Sequence, residues 1–157
     1  MRLAIAAIGR LKPAEPERRL VDDWLARAGA TGKRLGLGPV EVLEVDERRF
    51  TDRGAQGERL TALMPPRACR VALDERGRAF SSPELAELIA RERDQGCPEM
   101  VFLIGGADGL SKAVREEAGH LLSFGPMVWP HRLARAMLAE QIYRAMTILA
   151  GLPYHRE

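Results

Sequence analysis

The sequence predicts an α/β fold, with a mostly parallel sheet and helices on both faces. Three observations predict it. Short apolar runs recur along the chain, stretches with helical spacing separate them, and glycine or proline punctuates most junctions. Such alternation needs crossover connections, whose helices cover both faces of a parallel sheet. The length, 157 residues with 46% apolar side chains, suits one domain over residues 1–157.

Taken in order, Leu3–Ile8 reads as a fully buried strand ended by Gly9. From Pro16, Leu20, Val21, Trp24, Leu25 and Ala28 keep helical spacing, and Gly29 is the expected stop. Residues 32–39, rich in glycine and basic, read as a loop before the strand Val40–Val45. Residues 53–64 carry a weak helical pattern that Pro65-Pro66 ends. Cys69–Leu73 is a third strand, followed by a turn over Asp74–Gly77. Ser82 is placed as the cap of a helix with Leu85, Leu88 and Ile89 as its apolar stripe and Gly96 as its end. Met100–Ile104 is the most apolar strand and runs into Gly105–Gly109. A helix from Ser111 should turn Lys112, Arg115 and Glu116 to water, and Leu121–Phe124 is a short fifth strand. The last helix spans His131–Ala150, with a broad apolar stripe at 133, 134, 137, 138, 142, 145, 146 and 149. Gly151 and Pro153 end it, and Tyr154–Glu157 is a tail.

Composition excludes several functions. The formal charge is +2, from 24 basic and 22 acidic side chains, so any nucleic-acid contact needs a local basic patch or two copies on one substrate. Cys69 and Cys97 form no CxxC pair, which favours two reduced thiols over a disulfide framework. His120, His131 and His155 have no HxxxH or HExxH partner, so no metal is expected. There is no P-loop, no GxGxxG and no GxSxG elbow. The opening apolar run is short and broken by Arg10 and Lys12, and no run spans a bilayer. A cytoplasmic protein without membrane association is the expectation.

Four stretches carry candidate chemistry. Gly105–Gly109 follows a buried strand, where glycine lets the backbone approach a ligand and expose amides. Asp74 ends a strand on the same side, as a ligand contact or as a turn residue. Phe124, Gly125, Pro126, Met127, Val128 and Trp129 combine a non-repetitive backbone with apolar side chains, which suits a pocket gripping a flat ring or a buried connection that packs Trp129. His131, Arg132, Arg135 and Arg144, with Tyr154, His155 and Arg156, could hold phosphates and stack on a base, while Glu140 and Arg144 could pair along the helix.

Leu73-Asp74, Ile104-Gly-Gly-Ala-Asp-Gly-Leu110, Pro130-His131, Glu140-Gln-Ile-Tyr-Arg-Ala145 and the terminal Tyr154-His-Arg-Glu157 go further together than singly. With them the whole chain resembles the ribosomal RNA large subunit methyltransferase H family, also called YbeA-like, of the SPOUT class. The resemblance implies a knotted SPOUT fold with a C-terminal trefoil knot and a homodimer with sites at its interface. It implies methylation of N3 of a pseudouridine in 23S rRNA, with S-adenosylmethionine as methyl donor and no metal. It places the cofactor at Leu73, Gly105, Gly106 and Phe124–Trp129. Val128 stands where that family commonly has threonine, so a side-chain hydrogen bond is lost there while backbone contacts can persist.

On this reading the enzyme aligns the activated methyl group with N3 and helps remove the N3 proton, a task for histidine near neutral pH. His131 and His155 are both candidates for the base. Arg132, Arg135, Arg144 and Arg156 could stabilise the developing anion or hold phosphates, and Tyr154 could stack on the base or order the tail. Two other functions use the same fold: a non-catalytic ribosome-binding protein, which need not bind S-adenosylmethionine, and a SPOUT tRNA 2′-O-methyltransferase, separable by mapping the methylated nucleotide.

Overall fold

Five strands in the order β2-β1-β4-β3-β5 form one sheet, and every adjacent pair is parallel. The computed structural model describes residues 1–155. The strands are β1 (Arg2–Ile8), β2 (Val40–Val45), β3 (Cys69–Ala79), β4 (Glu99–Ile104) and β5 (His120–Ser123). The helices are α1 (Pro16–Gly32), α2 (Arg53–Ala62), α3 (Ser82–Asp94), α4 (Lys112–Glu117) and α5 (His131–Leu149).

Side-chain alternation along each strand splits the core in two. Leu3, Ile5 and Ala7 of β1, with Met100, Phe102 and Ile104 of β4, join the cluster that packs Val21, Leu25, Leu85, Leu88 and Ile142 of α1, α3 and α5. Ala4, Ala6 and Ile8, with Val101 and Leu103, join the opposite cluster, which packs Leu60 of α2 and Val114 of α4. Both central strands are therefore apolar at nearly every position, as a sheet covered on both faces requires. The face of each helix follows from one handedness of crossover. Connections running one way along the sheet carry α1 and α3, and those running back carry α2 and α4.

Several expected boundaries move. α1 continues through Gly29 to Gly32, because nothing lies within 4 Å of where a Gly29 side chain would sit and helical hydrogen bonding persists there. The expected loop 32–39 holds a short 3-10 turn, Lys33–Leu35, and a cis Gly38–Pro39 bond. The weak pattern at 53–64 is a true helix, capped by Asp52, whose carboxylate accepts from the Ala55 amide. The cap of α3 is Ser81 rather than Ser82, in a capping box with Glu84.

The largest departure lies in β3. The expected turn at Asp74–Gly77 is a bulge inside a longer strand. Leu122 of β5 pairs with Leu73 and again with Arg78, so the residues between are displaced from the ladder. Gly77 permits this, since a Cβ there would lie 2.7 Å from the Leu121 carbonyl. The bulge aims Asp74, Glu75 and Arg76 beyond the sheet.

No residue of α5 is fully exposed. It packs between α1 and α3, with Leu138, Ala139, Ile142, Ala145 and Met146 at the centre. Arg135, expected to serve chemistry, is instead fully buried. Its Nη1 donates to Glu44 Oε1 of β2 at 2.6 Å, and its Nη2 donates to the carbonyls of Ile8 and Gly9 at 3.2 and 2.8 Å. Cys69 and Cys97 are free thiols, and burial, reinforced by nearby Glu92, pushes the Cys69 thiol up to about 12. No described helix is long and apolar enough to cross a membrane.

Truncating Arg135 strands the Glu44 carboxylate and two strand-end carbonyls. Arg135→Ala should lower stability by about 3 kcal/mol, read by urea unfolding. Arg27→Ala, which breaks an exposed pair with Asp23, should lower it by less than about 1 kcal/mol.

Candidate active site

Parallel strands end on one side, and the ends of β3, β4 and β5 there enclose an open cavity of about 330 Å3. Leu73 and the bulge residues Asp74–Arg76 form one wall, the turn Gly105–Gly109 a second, and Phe124, Gly125, Met127, Val128 and Trp129 a third. His131 and Ala134, on the first turn of α5, close the base. Eight of the nine residues expected to contact a cofactor therefore line one cavity. Pro126, the ninth, is exposed and outside the lining.

The glycine turn closes on itself. Gly109 donates to the Gly106 carbonyl at 3.0 Å, and the two residues form an isolated bridge. A Cβ on Gly105 would lie 2.4 Å from the Gly109 carbonyl carbon and 2.6 Å from the Leu110 nitrogen, so only glycine fits. Gly106 is constrained differently. Its Cβ would meet Ile8 Cγ2 at 3.1 Å, a side-chain methyl in the core behind the turn rather than backbone.

Arg115, expected on a wet face, is a half-buried brace. Its Nη1 donates to the Leu110 carbonyl at 2.5 Å, and its Nε lies 3.6 Å from Asp74 Oδ2. It ties the glycine turn to the β3 bulge. Asp74 is nearly buried and also accepts from the Arg76 amide at 3.0 Å. Sequence reading left Asp74 undecided and did not find Arg115, since both act through contacts between elements forty residues apart. The third wall is set by Ser123, whose hydroxyl accepts from the Gly125 amide at 3.1 Å as Gly125 turns at φ +96°. Met127 and Val128 project into solvent at the rim, 67% and 87% exposed, so this part of the loop is open rather than a closed apolar wall.

His131 is the lining residue with acid–base chemistry in the ordinary range. Burial moves its pKa below the usual histidine value, with Glu47 opposing and Arg132 and Arg135 adding to the shift. Its Nε2 is buried without a partner, as is the indole Nε1 of Trp129 beside it in the same lining. A neutral imidazole with a free nitrogen, on a residue that lines the cavity, can accept a proton.

Among the described residues, the remaining candidates are not brought to this cavity. Arg135 is held in the core. Arg132 pairs with Glu15 at the start of α1. Arg144 pairs with Glu140, and Tyr154 donates to the same carboxylate at 2.9 Å. Tyr154 also packs against Tyr143 at 4.8 Å and Trp24 at 6.0 Å, with the Arg144 guanidinium over its ring. The tail is thus docked at Tyr154, beyond the glycine and proline that end the helix. Both ring nitrogens of His155 are buried without a partner among the described residues. Arg156 lies outside the described residues.

A family model described as "Predicted SPOUT methyltransferase" matches residues 1–155. The chain belongs to that family. Within it, the chain is a member of the ribosomal RNA large subunit methyltransferase H group. It is 53% identical over 156 residues to the protein of that name from Dinoroseobacter shibae, covering 99% of each chain. It is 52% identical over 157 residues to the one from Maricaulis maris, covering all of both chains. Among solved structures, a probable methylase family protein from Haemophilus influenzae Rd KW20 shares the fold, with TM-score 0.50 and 14% identity over 99% of this chain and 70% of that one. The cavity at the strand ends is therefore the candidate active site of a SPOUT methyltransferase.

Two outcomes follow from this geometry. Gly105→Ala should destabilise by about 3 kcal/mol in urea unfolding, and Gly106→Ala by clearly less, because only a side-chain methyl must move. The depressed His131 pKa means the unfolded chain binds its proton first as pH falls. Its contribution to stability is complete above about 6.5 and is lost as pH falls below that value towards the folded pKa. His131→Gln should flatten the stability profile in that window, measured by denaturation from pH 7.5 to pH 5.

Proposed function

We propose that this chain methylates N3 of a pseudouridine in 23S rRNA of the large ribosomal subunit, with S-adenosylmethionine as methyl donor. One observation carries the reading. A single cavity joins the glycine turn, the 124–129 loop and a histidine held neutral, in a chain that matches its family over its length. Its volume lies at the lower end of the range for small-molecule pockets, roughly 300–1,000 Å3.

The donor fits the residues present. Leu73, Gly105, Gly106, Phe124, Gly125, Met127, Val128 and Trp129 would hold it, largely through backbone groups, and Asp74 offers a nearly buried carboxylate for hydroxyls. The unpartnered Trp129 indole N–H is a further donor seeking an acceptor. S-adenosylmethionine supplies a methyl group already activated by its sulfonium. His131 takes the N3 proton on its imidazole, and the imidazolium so formed is favoured by Glu47. Arg53, Arg76 and Arg115 on the lining supply positive charge for backbone phosphates or the deprotonated base.

Arg144, Tyr154, His155 and Arg156 enter this scheme through a homodimer, in which a second copy brings its tail to the cavity. The docked Tyr154 supports this, since it stands outside the cavity of its own chain. We also infer a C-terminal trefoil knot. After the edge strand β5, the chain returns through 124–130 so that α5 packs on α1 and α3. A ribosomal substrate is met in the cytoplasm, and methyl transfer from a sulfonium needs neither a metal nor a membrane.

The test is methyl transfer from labelled S-adenosylmethionine to ribosomes and to naked rRNA, followed by mapping. The expected product is a pseudouridine methylated at N3 in the large-subunit RNA. His131→Ala should lower transfer by about 10²–10⁴-fold while leaving donor binding within a few-fold. Label on a tRNA ribose, or no transfer to any RNA, would overturn the reading.

A further inference from the structure

At the end of the sheet opposite the cavity, three side chains distant in sequence meet. Cys69 opens β3, Glu92 lies in the last turn of α3, and His120 opens β5. One donor atom from each, a thiol sulfur, a carboxylate oxygen and an imidazole nitrogen, lies within 4.8 Å of the other two. His120 Nε2 stands 3.6 Å from Glu92 Oε1. That separation is too long for a good hydrogen bond. It falls within the edge length of a tetrahedron around zinc, about 3.3–3.8 Å for ligand bonds of about 2.0–2.3 Å. All three side chains are half-buried and line one open cavity of about 510 Å3, so an ion can enter.

We propose that Cys69, Glu92 and His120 form a binding site for a zinc-class divalent cation, with water as fourth ligand. Mixed sulfur, nitrogen and oxygen donors select zinc, or cobalt in its place, over magnesium and calcium, which take oxygen alone. A bound divalent ion deprotonates a coordinating thiol outright. Competing contacts are weak. The Arg91 guanidinium, 3.6 Å from Glu92, is largely exposed and free to move away. Cys97 lines the same cavity, but its sulfur donates to the Glu99 carbonyl at 3.2 Å and is not counted as a ligand. The ion would clamp the end of α3 to the starts of β3 and the edge strand β5. The site lies apart from the methyl-transfer cavity and does not rest on that assignment.

The test uses the full-length protein, stripped with chelator and titrated with Zn2+ by calorimetry, then with Co2+ in the near ultraviolet. One Zn2+ per chain is expected, together with a thiolate-to-cobalt charge-transfer band. Cys69→Ser should abolish the band and weaken Zn2+ binding at least tenfold, and His120→Gln should weaken binding at least tenfold. Cys97→Ser should change neither. Circular dichroism of the metal-free variants checks folding. His120→Gln, at a half-exposed position, carries the test if Cys69→Ser does not fold. No stoichiometric Zn2+ binding by the unsubstituted protein would overturn the proposal. So would binding that survives His120→Gln, a cobalt band that survives Cys69→Ser, or loss of binding in Cys97→Ser.

Discussion

The buried guanidinium of Arg135 fastens the last helix to the first two strands, and the site depends on that contact. A fully buried cation costs several kcal/mol in lost hydration unless its hydrogen-bonding capacity is met. Here one carboxylate from β2 and two carbonyls at the end of β1 meet most of it. That requirement fixes where α5 can dock. A slide of α5 along the sheet would leave the charge unpaired, so the helix has one low-energy position. His131, one turn earlier on the same helix, inherits that position and stands at the carboxyl ends of the strands.

A parallel sheet supplies the rest of the site. All strand ends that carry turns and bulges fall on one side, and three of them converge there without sequence proximity. Each wall solves a different backbone problem. The β3 bulge displaces Asp74–Arg76 because β5 resumes pairing at Arg78. The β4 turn folds so tightly that Gly105 admits no side chain. The loop after β5 starts with Gly125 in the left-handed region and a serine–backbone exchange of hydrogen bonds. Arg115 then couples the first two walls. The opposite end of the sheet gathers the starts of β3 and β5 with the end of α3. The same topology therefore produces two unrelated clusters of polar side chains.

Much of this was legible beforehand, for definable reasons. Buried parallel strands are apolar at successive positions, so β1 and β4 stood out. Eight of the nine residues expected at a cofactor site line the cavity, because glycine and proline at strand ends mark backbone that must bend or admit a ligand. Other expectations were displaced by contacts that periodicity does not encode. Arg115 sits on a helix position that patterning assigns to water, yet a carbonyl and Asp74 draw it inward. Tyr154 lies beyond a glycine and a proline that end the helix, yet an aromatic partner on α1 and a carboxylate on α5 dock it.

By itself, the sequence determined the class of fold, the order of its elements, the strand-end segments that wall the cavity and the family to which the chain belongs. These are properties of local pattern, carried by residues within a few positions of each other. Only the tertiary structure decided which charged residues serve the fold and which face the cavity. It separated Arg135 from His131, four positions apart on one helix. One reaches the ends of β1 and β2, and the other lines the cavity. It also joined Cys69, Glu92 and His120, whose spacing in sequence matches no ligand motif. The physical reason is the same in both cases. A side chain's chemistry is set by burial and by partners, and in a crossover-connected sheet the partners come from elements far apart along the chain.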